Sequence, residues 1–253
     1  MKPSASGRIL MWRGGSLWIG QAGEPAEMHA HHAVQVSLPF HRRSARLRLP
    51  DGEWQAYPAA IVAAEQAHAF DARGLSMAQL FIEPESREGR ALQVLCHGEG
   101  IVALPDGALT DDVQALARAF DARAPDEALI GLARAAIEKL AGLRPVSTHP
   151  PDARITRATD LIRARLSGPM TLESIARAVH LSPDRFRHLF VQETGVAFRP
   201  YVLWLRLESA LAAYVGGSSL TEAAHRGGFA DSAHFSRTFR RMFGIAPASV
   251  RPE

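Results

Sequence analysis

The chain has 253 residues, 47% of them hydrophobic and 22% charged, and a net charge of +3. That composition is near average globular usage and excludes a collagen-like or disordered chain, and no apolar run approaches the ~18 residues of a membrane-spanning helix. The N-terminal MKPSASGRIL lacks a continuous apolar stretch, so no secretory signal is expected, and the single cysteine, Cys96, excludes a disulfide framework or a Cys-rich zinc site; the chain reads as soluble and cytoplasmic.

Up to about residue 100 the pattern predicts short strands. Arg8–Ile19 mixes apolar and turn residues, His29–Leu38 alternates its side chains as one strand, Ser44–Leu49 alternates cleanly, and Ala59–Ala64 and Ser76–Ile82 are apolar runs. Gly14-Gly15, Pro39, Pro50-Asp51-Gly52, Pro58 and Asp71–Gly74 punctuate them, a spacing that suits a sandwich or a small barrel. From residue 109 the period becomes helical. Leu109, Val113, Leu116 and Phe120 follow Thr110-Asp111-Asp112, and a second helix carries Leu129, Leu132, Ala136 and Leu140 before stopping at Gly142. That second stripe either packs on the strands or meets its twin in another chain, and a homodimer is the expected assembly.

The linker is expected at 144–151, which opens the proline-rich run RPVSTHPPD. Beyond it every segment reads as helix. Thr171 starts one, with Ser174 where a capping box would want Glu; Ser182-Pro183 starts the next, which Gly195 ends. Pro200 opens a long helix to Val215, Ser219 or Thr221 caps a short one, and Asp231 caps the last. Charge divides with this organisation. Residues 1–151 hold 15 basic and 17 acidic side chains, hence −2, whereas 152–253 hold 14 and 9, hence +5. All 14 are Arg, whose planar fork of donors suits phosphate and guanine edges.

Two pieces of the second half repeat one plan. TLESIARAVHL turns into SPDRFRHLFVQETG, and SLTEAAHRGG turns through FA into DSAHFSRTFRRMFG, each a short helix, a tight turn and a capped second helix. Phe186, Leu189 and Phe190 match Phe235, Phe239 and Met242 as apolar stripes, leaving Arg, His and Ser on the opposite faces. Ordinary amphipathic helices with solvated faces would explain one such pair; two in tandem, rich in Arg and free of Lys, favour a major-groove reader.

Leu172–Arg251 resembles the DNA-binding domain of the AraC/XylS family of bacterial transcription regulators. LESIARAVHLSPDRFRHLFVQETGVAFRPYV, the RLESA of 206–210 and GGFADSAHFSRTFRRMFGIAPASVR carry the resemblance. It implies seven helices, with two helix-turn-helix units bridged by a long one. Transferred by position, the groove-facing sites are Asp184, Arg187 and His188 in the first unit and Ser232, Ala233, His234, Ser236 and Arg237 in the second. Arg187 and Arg237 suit guanine, Asp184 cytosine N4, His188 and His234 base or phosphate, and Ala233 a thymine methyl. Arg199, Arg240 and Arg241 suit phosphate. Gly227, one glycine more than the pattern needs, is expected to loosen the second turn.

In the N-terminal half, His29-x-His31 with Gln35, and His68 further on, resemble an eroded cupin metal motif, with Gln35 in the acidic ligand's place. Alternation along a single strand would put His29, His31, Ala33 and Gln35 on one face and His32, Val34, Val36 and Leu38 on the other. The preferred reading is a metal-free, cofactor-free effector pocket of His29, His31, Gln35 and His68; the alternative is a cupin-type metalloenzyme or metal sensor using the three histidines. Cys96 reads as buried and inert.

The expected fold is therefore α+β with two domains: a cupin-like β-barrel with two helices (1–143, effector binding and dimerisation) and, after the linker, an all-α domain with two helix-turn-helix units (152–253). The expected function is a non-enzymatic, effector-responsive activator of transcription whose partners are double-stranded DNA, a small-molecule effector and, as a further candidate, RNA polymerase, with no membrane. An effector-free DNA-binding protein whose first half only dimerises is the remaining rival.

Overall fold

The computed structural model describes residues 6–96, 100–143, 151–166 and 168–250. Two compact units are present, one formed by Met1–Val146 with Phe239–Glu253 and the other by Ser147–Thr238. Of the linker expected at 144–151, only Pro151 lies among the described residues.

The first unit begins with a hairpin, β1 (Ser6–Trp12) and β2 (Gly15–Gln21), whose two-residue turn needs the positive φ of Gly14, +99°. There follow β3 (Ala26–His29), β4 (Val34–Pro39), β5 (Ala45–Arg48), β6 (Gln55–Tyr57), β7 (Ala60–Val62), β8 (His68–Asp71), β9 (Ser76–Ile82) and β10 (Ile101–Ala103). They form a six-stranded sheet in the order β1-β2-β9-β4-β7-β10 and a four-stranded sheet β3-β8-β5-β6, with antiparallel pairing throughout. No ladder joins the two sheets among the described residues, so the closed barrel gives way to an open arrangement of two sheets.

The single strand expected over His29–Leu38 is in fact two, in different sheets. The break lies where the His31 ring bonds the Ala33 carbonyl, Nδ1 to O 2.9 Å, giving the backbone a local partner in place of a ladder.

Three helices belong to this unit: α1 (Arg87–Leu95), α2 (Thr110–Asp121) and α3 (Asp126–Gly142). The sequence pattern identified α2 and α3 but not α1, a nine-residue helix capped by the Ser86 hydroxyl, which accepts from the Gly89 N–H. Alternation on β4 and β9 sends Val34, Val36, Leu38, Ala78, Leu80 and Ile82 into a core shared with Leu116, Leu129, Ala133, Ile137 and Leu140. The α3 stripe is thereby resolved. Leu129, Ala136 and Leu140 are fully buried within their own chain, so these three side chains are not free to meet a twin.

The second unit contains α4 (Ala153–Ala164), α5 (Leu172–Ala178), α6 (Pro183–Thr194), α7 (Phe198–Val215), α8 (Leu220–Arg226) and the first half of α9 (Ser232–Phe243). A 3-10 turn, Pro247–Val250, follows α9. Among the described residues from 151 onward there are thus six α-helices and one 3-10 turn, where the resemblance implied seven helices. Local chemistry sets the helix ends. Thr171 and Ser174 form a reciprocal capping box despite the missing Glu, as do Ser219 and Glu222. Ser182 caps α6, with Pro183 in its first turn, and Gly195 closes it at φ +78°. The Asp231 carboxylate accepts the His234 N–H at 2.6 Å. Helix α7 starts two residues before Pro200, which sits in the first turn where no N–H is needed; its 18 residues span about 27 Å.

Gly227 does not loosen its turn. A Cβ there would lie 2.6 Å from the Arg206 carbonyl oxygen and 2.7 Å from Ala210 Cβ, so its absence lets α8 and α7 approach closely. Gly227→Ala is expected to destabilise the folded chain by about 1–3 kcal/mol through overpacking. An unchanged urea midpoint and m-value would overturn this reading of the contact.

Candidate nucleic-acid interface and ligand cavity

In α6 the aromatic stripe is internal: Phe186 and Phe190 are fully buried, and the Phe190 ring meets Tyr201 of α7 edge-on at 5.2 Å. Asp184, Arg187 and His188 are exposed on the opposite face, where the sequence placed them. There Arg187 Nη1 pairs with Asp184 Oδ1 at 2.8 Å, so both residues have a partner before any ligand arrives. The pair is solvent-exposed and therefore weak.

In α9 Phe235 is buried against Phe229, while Ala233, His234, Arg237, Arg240 and Arg241 are exposed. Ser232 and Ser236 are half-buried, and the Ser236 hydroxyl donates to the Ser232 carbonyl at 2.8 Å, leaving its oxygen mainly as an acceptor. Arg199 is exposed at the start of α7.

The histidines of the first unit converge, though not by alternation along one strand. His29 and His68 are register partners across β3 and β8, so their rings lie 4.2 Å apart. His31 arrives from the segment linking the two sheets, its ring 5.6 Å from His29 and 5.3 Å from His68. One ring nitrogen of each lies within 4.8 Å of the others. All three are buried. Their Nδ1 atoms each face a backbone carbonyl: Glu27 at 2.7 Å, Ala33 at 2.9 Å and Gln66 at 2.9 Å.

A carbonyl only accepts, so each Nδ1 carries the proton. Burial, reinforced by the proximity of His31, pulls His29 down to about 4. Burial also lowers His31, against the bonds to Gln35 and Ala33, and holds His68 well below its ordinary value with help from its two neighbours. The cluster is neutral at pH 7. The Gln35 amide lies 3.1 Å from His31 Nε2 and 2.9 Å from the Ser37 hydroxyl. Gln35 Oε1 is the atom beside His31, and Gln35 Nε2 donates to the Ser37 hydroxyl. His68 Nε2 is buried without a hydrogen-bond partner.

His29 and Gln35 form part of the wall of a cavity of about 120 Å³ within the first unit. The rest of that wall is mainly apolar, with Trp18, Phe70, Met77 and Phe81 prominent and Arg8 and Gln79 among its polar groups. The unit's C-terminal segment contributes Phe243 and Ile245, and a Cβ at Gly244 would lie 2.8 Å from His29 Nδ1. Sequence reasoning missed Trp18, Phe81 and Phe243, because a lone aromatic in a strand or helix has no local signature for cavity lining.

His32, expected on the opposite face, sits 3.0 Å from Glu85 by Nε2 and 3.6 Å from Glu65 by Nδ1. Burial opposes its charge, but the two carboxylates prevail and hold it at about 9.

Comparison with known proteins reports on the C-terminal region. A helix-turn-helix domain family matches residues 175–253. The chain is 40% identical over 82 residues to the uncharacterized HTH-type transcriptional regulator YpdC of Escherichia coli, covering 31% of this chain and 28% of that one. The chain is also 32% identical over 108 residues to the arabinose operon regulatory protein of E. coli, covering 42% and 37%. Residues 175–253 are an AraC-type helix-turn-helix domain. Asp184, Arg187, His188 and the exposed face of α9 all lie inside this AraC-type domain. The chain spans well under half the length of these relatives.

Over nearly the whole chain the fold is similar to that of ToxT from Vibrio cholerae, with a TM-score of 0.59 at 12% identity, covering 92% of this chain and 96% of ToxT. A ToxT structure with an unsaturated fatty acid bound gives 0.55 at 12% identity, covering 94% and 95%. Among the described residues no helix is long and apolar enough to cross a membrane.

Two outcomes test this geometry. Because the folded value of His32 lies above its ordinary 6.5, its contribution is complete below about pH 6.5 and is lost as pH rises through about 9. His32→Ala should therefore cost roughly 1.5–3 kcal/mol at pH 6, and the gap between wild type and variant in urea melts should narrow by pH 10. Cys96 is buried, with its thiol pushed up to about 11, so Ellman's reagent at pH 8 should find no reactive thiol in the native chain and one after denaturation.

Proposed function

We propose that the chain is a sequence-specific, DNA-binding transcription regulator of the AraC type, in which residues 152–253 read DNA and residues 1–143 sense a small molecule. The observation that supports this best is the pair of capped second helices, α6 and α9, that bury aromatic stripes and expose Asp184, Arg187, His188, His234 and Arg237. Arg237 reads a guanine edge, and Arg240, Arg241 and Arg199 hold phosphates. The effector is a small molecule with a largely apolar body, oriented by His29 and Gln35 in the cavity. The fatty acid bound in the similarly folded ToxT supports a ligand of that character.

The functional unit is a homodimer on paired half-sites, formed by a surface other than the buried α3 stripe. Residues 144–151 link the two functional parts.

Selection of duplexes from a random pool by the full-length protein gives the preferred site. On it, Arg237→Ala should cost about 1–3 kcal/mol and relax specificity at one position. Arg241→Ala should weaken all sequences alike and flatten the salt slope by about one unit. Equal losses on selected and random DNA for Arg237→Ala would overturn its role as a base reader, and failure of the full chain to bind any duplex would overturn the function.

A further inference from the structure

We propose that Arg42, Arg43, Arg46, Arg48 and Arg73, gathered on the four-stranded sheet and the crossings beside it, form a second nucleic-acid contact on the first unit, which grips the phosphate backbone of duplex DNA without reading its sequence. The proposal rests on the reading of the chain as a DNA-binding regulator.

Register brings these side chains together. Strands β4 and β9 belong to one sheet and β5 and β8 to the other, so the connections β4–β5 and β8–β9 both cross between sheets. The crossings lie side by side, because the Phe40 N–H donates to the Ser76 carbonyl at 2.9 Å and Arg46 is the register partner of Asp71. Arg42 and Arg43 stand on the first crossing and Arg73 on the second. Arg46 and Arg48 follow on one face of β5, while Ala45 and Leu47 are buried on the other. The stretch HRRSARLR, residues 41–48, holds four arginines and no acidic residue. Asp51 and Glu53 lie in the turn between β5 and β6, at the opposite end of β5 from Arg42 and Arg43.

Three features hold the patch ready. His41 and Arg42 are both left-handed, φ +55° and +54°, in a turn closed by the Arg43 N–H on the Phe40 carbonyl at 3.2 Å. Gly or Asn takes that conformation far more readily. Buried Phe40 anchors the strained turn, which leaves His41, Arg42 and Arg43 all exposed. Asp71 is buried and shared: Arg73 donates to it through Nε at 3.1 Å and Nη2 at 2.9 Å, and Arg46 donates through Nη2. One carboxylate between two guanidiniums leaves an uncompensated positive charge. The Trp54 ring braces two more groups, with the Arg46 and Arg48 guanidinium carbons 5.6 and 5.3 Å from its centre. Arg42, Arg43 and Arg48 have no carboxylate partner among the described residues.

The partner follows from this chemistry. Like charges on one face repel, and a polyanion relieves that repulsion. The core of a protein–protein contact is depleted of charge; here the centre is guanidinium, and arginines cover the Trp54 ring. Arginine forks suit phosphate oxygens, and contacts of that kind position a duplex without carrying sequence information. A duplex held by α6 and α9 is also tethered to this face through the chain, which raises its local concentration.

The test measures the salt dependence of binding by the full-length chain to its selected duplex carrying flanking DNA. Arg42→Asn combined with Arg43→Gln keeps a residue that tolerates the left-handed turn. It should flatten the slope by about two units, at about 0.9 for each phosphate contact, and leave base preference unchanged. Arg73→Gln should flatten it by about one unit, so the proposal stays testable if the double variant misfolds. Arg134→Gln, at an exposed position of α3, should leave the slope unchanged. Wild-type binding with an unchanged slope in both patch variants would overturn the patch alone, and is the outcome an acidic protein partner would produce. A loss confined to the selected sequence, absent on random duplex of equal length, would also overturn it. Failure of the wild-type chain to bind any duplex would overturn the regulator reading and this proposal with it.

Discussion

Strands β4 and β9 carry two different faces on one backbone, and the first unit is organised around filling both. Their pleat has a period of two. One set of side chains, Val34, Val36, Leu38, Ala78, Leu80 and Ile82, is covered by α2 and α3. The other set includes Gln35, Ser37, Met77, Gln79 and Phe81. A slip of one residue would drive Gln35 into the helix-covered core and bring Val34 and Val36 to the cavity side, so register is strongly specified. The second sheet completes the polar side by bringing His68 and Phe70 against it. The cavity is thus a by-product of a constraint on packing: the apolar face is fully taken, and the remaining face holds the groups that can recognise something.

The same constraint explains why so many histidines are buried without being charged. His29, His31 and His68 each satisfy one nitrogen locally, with a backbone carbonyl within two residues in sequence. The His29 and His68 rings meet because strands β3 and β8 pair the two residues directly. His32, adjacent in sequence, has the opposite fate because two carboxylates reach it and keep it charged. Neighbouring residues of one type are thereby given different chemistry by their partners, not by their intrinsic acidity.

In the second unit the economy is local. Thr171, Ser182, Ser219 and Asp231 each bond an N–H three residues ahead, and Gly195 closes α6 in the left-handed conformation. Buried aromatics then leave the charged faces outward by default. The glycine at 227 shows that an apparent irregularity in a turn can be a packing requirement of the helix that precedes it.

Much of this was legible in the chain. Caps, helical periods and the tandem arrangement of α5–α6 and α8–α9 depend on residues three or four apart, so sequence alone determined the C-terminal helices and the exposure of Arg187, Arg237 and Arg241. The alternation of Val34, Val36 and Leu38 was legible for the same reason. Sequence also singled out His29, His31, Gln35 and His68, but on the premise of one continuous strand in a closed barrel.

Only the tertiary structure decided that the strand breaks after His29, that the sheets stay separate, that α3 spends its leucines internally, and that Trp18 and Phe81 help line the cavity. Those outcomes depend on which distant strands pair and which faces they cover. Such contacts are set by the free energy of the whole core, and no short stretch of sequence carries that information.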